Sequence, residues 1–288
     1  MAFDLKSFSK TLIYQGSPSA AQLQANFKWI ETQDKQAEKK AKICIAIAVI
    51  AGILAFLSFI WVAETAASGI IPVVLIAIAV VAGIFGSRWS RLDVPDLRYA
   101  LPMRLVALLG RDMAKDAPFD ARIDFSTPTH KKKQVDKGPW SGRSGWTQTS
   151  FEDPWLRLSG RFLDNTLFVL TLTELTVKRS GWKRGRSGKR KHKTKTKPKG
   201  MEAQLFLKFP RKRYGAVTVL ESDLAGAVQL PQGVALKKIK VNDHQLLLKA
   251  KVAPNRLGLD GFYQLFTQML LSAYHVLNLS KALSKSSA

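Results

Sequence analysis

Apolar residues run without a charge from Ile43 to Ala63, ICIAIAVIAGILAFLSFIWVA, and again from Ile70 to Gly86, IIPVVLIAIAVVAGIFG. At ~1.5 Å of rise per residue, each run approaches or matches a hydrocarbon core of ~30 Å. The pattern predicts a transmembrane helical hairpin, with spans at about 43–63 and 70–86. The alternative is a buried hairpin in a soluble protein, which would need a larger core than the remaining chain supplies. The first run begins only after a polar stretch, and no short basic start leads into it. Neither run therefore reads as a cleaved signal peptide.

Ahead of the first run, SPSAAQLQANFKWIETQDKQAEKKAK places Leu23, Phe27 and Ile30 at helical spacing, with Ser17 or Ser19 as the cap. This helix is expected to continue into the first span. The opening residues, with Phe3, Phe8, Leu12 and Ile13 among lysines and polar side chains, fit either a membrane surface or the face of a domain.

After the second run the pattern becomes that of a globular domain. A helix is expected from about Pro102, with Leu105, Leu109 and Met113 on one face, then a short strand at ARIDF. Residues 126–150, rich in Gly, Ser, Thr, Lys and Pro, read as a long loop. Period-two patterns then take over. WLRLSGRFL and TLFVLTLTELTVKR meet at Asp164-Asn165, MEAQLFLKF follows, and ALKKIKV and HQLLLKAKV meet at Asn242-Asp243. A last helix from about Asp260 carries a broad apolar stripe of Phe262, Leu265, Phe266, Met269, Leu270, Ala273 and Leu277. Strands segregated from helices indicate an α+β domain with a mostly antiparallel sheet packed by helices. The organisation is thus a helical segment (1–42), the hairpin (43–86) and an α+β domain (87–288).

Charge gives this outline an orientation. Lys35, Lys39, Lys40 and Lys42 precede the first span, and Arg88, Arg91 and Arg98 follow the second. The turn between them holds Glu64 and no basic residue. By the positive-inside rule both termini and the α+β domain are cytoplasmic, and the chain is an integral membrane protein of two spans. Neither span contains an ionisable side chain, so the hairpin is an anchor rather than an ion path. Small residues recur four apart (Ala48 and Gly52, Ala51 and Ala55, Ala79 and Gly83, Ala82 and Gly86), which suits packing of the two spans on each other or on another membrane protein. Cys44 is the single cysteine, so an intramolecular disulfide and a multi-cysteine metal site are excluded. At the cytoplasmic boundary it reads as a small buried thiol, with lipidation the alternative.

The formal net charge is +24, and half of it comes from residues 178–200, KRSGWKRGRSGKRKHKTKTKPKG, which contain no acid. Lysine recurs at every second position, as Lys189, Lys191, Lys193, Lys195, Lys197 and Lys199. In extended form all six point one way, ~6.6 Å apart. The preceding strand can fold back on this run as a basic hairpin arm. The lysines and the core candidates Ala203, Leu205, Leu207 and Phe209 are all odd-numbered. They can face opposite ways only if a bulge or twist intervenes at Pro198–Gly200.

The expected polyanion-binding residues are Lys178, Arg179, Trp182, Lys183, Arg184, Arg186, Lys189, Arg190, Lys191, Lys193, Lys195, Lys197 and Lys199. Beyond the lipid bilayer that holds the hairpin, the expected partners are anionic lipid headgroups, nucleic acid or an acidic protein. His130-Lys131-Lys132-Lys133 adds a smaller basic cluster. A disordered loop serving solubility is the alternative.

Catalytic templates find little here. In GWKRGRSGKR, Arg190 stands where a phosphate loop needs Ser or Thr, and Lys183 where it needs its first glycine. His130, His192, His244 and His275 lack metal-ligand spacing. Glu152 with Asp153, and Glu221 with Asp223, are ordinary near neighbours, and no glycine frame surrounds a serine. No cofactor, metal or catalytic residue is indicated. The sequence points to a binding or scaffold protein, with an accessory subunit of a membrane complex next and an enzyme on an anionic membrane substrate last.

Overall fold

The computed structural model describes residues 8, 11–65, 69–90, 94–220 and 226–286, and divides the chain into two compact units. One comprises 1–25 and 97–288, the other 26–96.

Helix α1 (Ala20–Thr65) runs unbroken from the polar stretch into the first apolar run. Its start is a reciprocal cap. The Gln22 amide donates to Ser19 Oγ at 3.5 Å and the Ser19 amide donates to Gln22 Oε1 at 3.3 Å. Helix α2 (Ile70–Ser90) holds the second run. Both helices are long and apolar enough to cross a membrane, and only 11% of each apolar window is buried. Within the second unit the small residues make the seam: Ala51, Ala55 and Ala82 are buried, and a Cβ on Gly86 would sit 3.3 Å from Cys44 Cβ. The Val94 amide donates to Asp34 Oδ1 at 2.9 Å.

The first unit is built on an eight-stranded antiparallel sheet of order β1-β2-β4-β5-β6-β8-β7, with β3 also paired to β4. The strands are β1 (Ile13–Gly16), β2 (Asp120–Asp124), β3 (Gln134–Pro139), β4 (Trp146–Arg161), β5 (Leu167–Arg184), β6 (Arg190–Lys208), β7 (Val234–Asn242) and β8 (Gln245–Val252). Helices α3 (Leu97–Leu109) and α4 (Leu259–Ser286) cover one face. There Leu158, Leu170, Leu172, Ala203, Leu205, Leu207, Leu246 and Leu248 are fully buried, as are Leu105, Leu265, Phe266 and Met269 of the helices. The apolar stripe expected on the last helix is thus the face it buries.

Both expected hairpins form. Asn165 adopts a left-handed φ of 67°, and Asp164 Oδ1 accepts the Thr166 amide at 2.8 Å. Asn242 Oδ1 accepts the amides of His244 and Gln245 at 3.0 and 2.7 Å, so the turn itself is Asp243-His244. Of the opening residues, Ile13–Gly16 pairs along the edge of β2, and the Phe8 ring meets Phe125 edge-on at 5.5 Å.

Two expectations fail. Residues 126–150 are not a long loop, since they contain β3 and the start of β4. This part of the sheet has polar residues on both faces, so no apolar alternation betrays it. The helix expected from Pro102 begins at Leu97 and carries the proline inside it. A helix-interior proline costs ~3 kcal/mol, but starting earlier buries Arg98, Tyr99 and Leu101 as well.

Candidate polyanion-binding interface

The basic run is an ordered arm, flanked by β4 and β3 as far as Gly181 and two-stranded only beyond it. Beyond the body of the sheet, β5 and β6 stay paired from Val177↔Lys197 through Arg179↔Lys195, Trp182↔His192 and Lys183↔Lys191 to Arg184↔Arg190. The tip is tight: the Gly185 amide donates to Lys189 O at 2.8 Å, and Gly188 takes a φ of 76°. By register, Arg179, Lys183, Lys191, Lys193, Lys195 and Lys197 lie on one face of the arm. Lys178, Trp182, Arg184 and Arg190 lie on the other. Arg186 and Lys189 are in the turn, and Lys199 is in a bulge, so four of the six alternating lysines share the ladder. Lys183 and the six alternating lysines are exposed, Lys178 is half-buried, and Trp182 is 62% exposed.

Aromatic packing holds the base of the arm straight. β4 pairs with β5 through Trp146↔Gly181 and Gln148↔Arg179, and Trp146 is buried. Trp146 Nε1 donates to Trp182 O at 3.2 Å. The indole fills the space over Gly181, where a Cβ would fall 2.6 Å from Trp146 Cγ. Arg179 Nε donates to Gln148 Oε1 at 2.9 Å, and its guanidinium stacks 4.4 Å over Trp140. Cations nonetheless stand directly opposite each other at Lys183↔Lys191, Arg184↔Arg190 and Arg179↔Lys195. Like charges so placed cost roughly 0.2–1 kcal/mol each, a repulsion that a bound anion would relieve.

A bulge sets which way the lysines face. Leu175 pairs with Gly200 but Thr176 pairs with Pro198, leaving Lys199 unpaired. Gly200 has a φ of 108°, and a Cβ there would lie 2.1 Å from Val252 O. The extra residue reverses the parity of β6. Ala203, Leu205 and Leu207 face the helices, and Lys191–Lys197 face away from them.

Charged groups that the sequence did not bring together meet under α3. Arg98 donates through Nη2 to Asp153 Oδ2 at 2.7 Å and to Glu174 Oε2 at 3.1 Å, and through Nη1 to the carbonyls of Asp124 and Ser126 at 2.5 and 2.9 Å. Lys133 Nζ lies 2.8 Å from Asp153 Oδ1 and 3.0 Å from Asp124 Oδ2. The Lys133–Asp153 contact is an ion pair by distance, although its angle falls outside hydrogen-bond range. Asp153 is fully buried and Arg98 nearly so, and each opposes the other's charge. This is a structural network. Pro154, within a strand, is the one sequence signal for the bulge beside it.

A second cluster joins residues far apart in the chain. Asp164 Oδ2 accepts from Thr166 Oγ1 at 2.9 Å, from Tyr274 OH at 3.1 Å and from Tyr214 OH. Desolvation raises the Asp164 carboxyl, but hydrogen bonds from Tyr214, Thr166 and Tyr274 outweigh it and hold it below its ordinary value. Burial, with Asp164 adding to it, pushes the Tyr214 phenol up to about 12, and Tyr274 is raised chiefly by burial. The cluster borders a cavity of about 500 Å³ walled by Leu109, Phe162, Leu163 and Leu270. Because the folded-state value of Asp164 is depressed, its contribution to stability is present above about pH 4 and is lost as pH falls through that folded value. Asp164→Asn is therefore expected to flatten the acid limb of a plot of unfolding midpoint against pH. An unchanged limb would remove Asp164 from the account.

No group of three or more His, Cys, Asp or Glu residues that could hold a metal occurs among the described residues. The four histidines stand in separate surroundings, with His192 edge-on to Trp182 at 5.4 Å. Glu221 and Asp223 lie outside the described residues. Comparison with protein-family models, curated proteins and solved structures finds no match.

Proposed function

We propose that this is an integral membrane protein of two spans, with its termini and β-rich unit on the cytoplasmic side, whose basic arm holds a phosphate-bearing polyanion. The observation that carries the reading is the ladder: Lys191, Lys193, Lys195 and Lys197 beside Arg179 and Lys183 on one face, in an arm without a carboxylate. A loop serving only solubility needs neither the pairing nor the tryptophans packed at its base. The membrane part rests on two long helices whose large apolar side chains, such as Phe56 at 67%, are exposed rather than buried. The orientation rests on Lys35, Lys39, Lys40 and Lys42 ahead of the first run and on Arg88 and Arg91 after the second, Arg98 being taken up by Asp153 and Glu174. A second reading, as an accessory subunit of a membrane complex, draws on Gly52 and Gly83, where an added Cβ meets nothing within 4 Å. That room would admit a third helix.

Inorganic polyphosphate tests the polyanion reading directly. The full chain, held in a nanodisc of zwitterionic lipid, is expected to bind it with a steep salt dependence. Each basic group near an anionic surface contributes ~1 kcal/mol, so replacing Lys191, Lys193, Lys195 and Lys197 with Gln should cost up to ~4 kcal/mol, about a thousandfold. Shuffling residues 189–199 keeps the charge but destroys the single face, and should cost most of the same amount. Equal binding by the shuffled chain would reduce the arm to a cationic loop. For orientation, in a Cys44→Ala background, a cysteine at Thr65 should react with an impermeant thiol reagent outside intact cells and one at Ser284 should not. The reverse pattern would invert the topology.

A further inference from the structure

We propose that the arm is one end of a longer track continuing over the open face of the sheet, and that its occupant is single-stranded nucleic acid. The proposal rests on the polyanion reading of the arm and adds both the extent of the site and the partner.

Continuity comes from β5, which passes from the sheet into the arm without an inserted residue. Its odd-numbered positions, Thr171 in the sheet and Arg179 and Lys183 in the arm, therefore stay on one face. The bulge at Lys199 brings the β6 lysines to that same face. In the sheet, Thr171 belongs to a row of direct cross-strand neighbours, Arg122↔Arg157↔Thr171↔Gln204↔Lys249↔Lys238. These residues are exposed or half-buried, in contrast to the buried apolar face against α3 and α4. Arg122, Arg157 and Lys238 are exposed and make no ion pair among the described residues. Next to this row, Phe206 is half-buried between its cross-strand partners Val169 and Leu247.

With strands about 4.8 Å apart, the row crosses ~24 Å of sheet, and Lys191 to Lys197 adds ~20 Å along the arm. The row, with the Phe206 ring and the amide and hydroxyl of Gln204 and Thr171, and the arm thus present two groups of cations on one face. They are separated by ~20 Å of β5 in which Glu202, paired with Lys249 at 2.6 Å, and Glu152 share that face. Phosphates to bind, bases to stack and edges to hydrogen-bond are what a single strand offers together. An anionic lipid leaflet offers only the first. Its headgroups also diffuse beneath any cationic patch, so it gives no reason for cations held in fixed register. A strand with covalently spaced phosphates does.

The test uses the full chain in zwitterionic nanodiscs and fluorescent oligo-dT of about 5, 10 and 20 nucleotides, bracketing the site sizes of sheet platforms. Affinity should rise with length beyond what the arm alone accommodates. Arg122→Gln with Arg157→Gln and Lys238→Gln should weaken the longest oligonucleotide at least ~10-fold and reduce the salt slope by about 2, since each lost contact on a single strand removes ~0.7. The shortest, held by the arm, should lose much less. Phe206→Ser should weaken binding without changing the salt slope.

If the arm lysines matter but the three sheet cations do not, the track is overturned and the arm reading survives. If the protein docks vesicles containing phosphatidylserine through the arm but does not bind oligo-dT, the partner is overturned and the polyanion is a lipid. If neither probe nor polyphosphate binds, the arm reading itself has failed.

Discussion

Replacing Arg98 with methionine should destabilise the β-rich unit by ~3–5 kcal/mol, the cost of breaking a buried ion pair from one side. Set against a typical total of 5–15 kcal/mol, that is a large share of what holds a domain folded. The reason is what remains behind. Asp153 is fully buried, and without Nη2 at 2.7 Å it keeps only Lys133, whose approach to Oδ1 at 2.8 Å is poorly angled for a hydrogen bond. Glu174 loses its partner as well, and the carbonyls of Asp124 and Ser126 lose the donors that Nη1 supplied. Circular dichroism of the detergent-solubilised chain through a denaturant series would measure the change. Methionine fills much of the arginine's volume, so the loss reports charge and hydrogen bonding rather than a cavity. Replacing Asp153 by leucine at the same time should recover part of the deficit, because the orphaned carboxylate is then gone. A single-variant loss below ~1 kcal/mol would mean that water or Lys133 compensates fully, contrary to the geometry.

That network also marks where a linear reading of the chain stops. The apolar runs, the stripe on α4 and the two Asx-type hairpins announce themselves by period or by turn chemistry within a few residues. Arg98, Asp153 and Glu174 are separated by 55 and 76 positions from Arg98, and Tyr274 is 110 from Asp164. No local pattern links such pairs, and each residue alone resembles an ordinary surface charge. Strand β3 was hidden for a different reason. It extends the sheet beside the base of the arm, where Gln134, Asp136 and Lys137 need no apolar alternation because neither face is covered. The arm itself was legible because lysine repeats at the strand period. Its orientation was legible only as a conflict between two odd-numbered sets, and the structure resolves that conflict at one glycine.

Gly200→Val is therefore expected to destabilise the β-rich unit and to remove the gain in oligo-dT affinity with length, while every cation of the arm remains. Gly200 sits at a φ of 108°, which a side chain adopts at a cost of roughly 1–3 kcal/mol. The new Cβ would also lie 2.1 Å from the Val252 carbonyl oxygen, a backbone atom held in the β6–β8 ladder. Together these should cost at least ~3 kcal/mol. The chain can escape the clash only by opening that ladder or by slipping β6 one residue, and a one-residue slip turns every side chain to the other face. Either the β6 lysines turn to the other side of the arm, away from Arg122 and Arg157, or Leu205 and Leu207 meet solvent.

Deleting Lys199 separates the bulge from the clash. Without the unpaired residue, Gly200 still meets Leu175 and Pro198 still meets Thr176, so β6 pairs regularly with β5 and Lys191–Lys197 keep both their partners and their face. That variant should keep near-normal stability, the same charge less one and the gain in oligo-dT affinity with length. If the gain disappears while stability and short oligo-dT binding hold, the bend that the bulge puts into β6, rather than the shared face, is what joins arm to sheet.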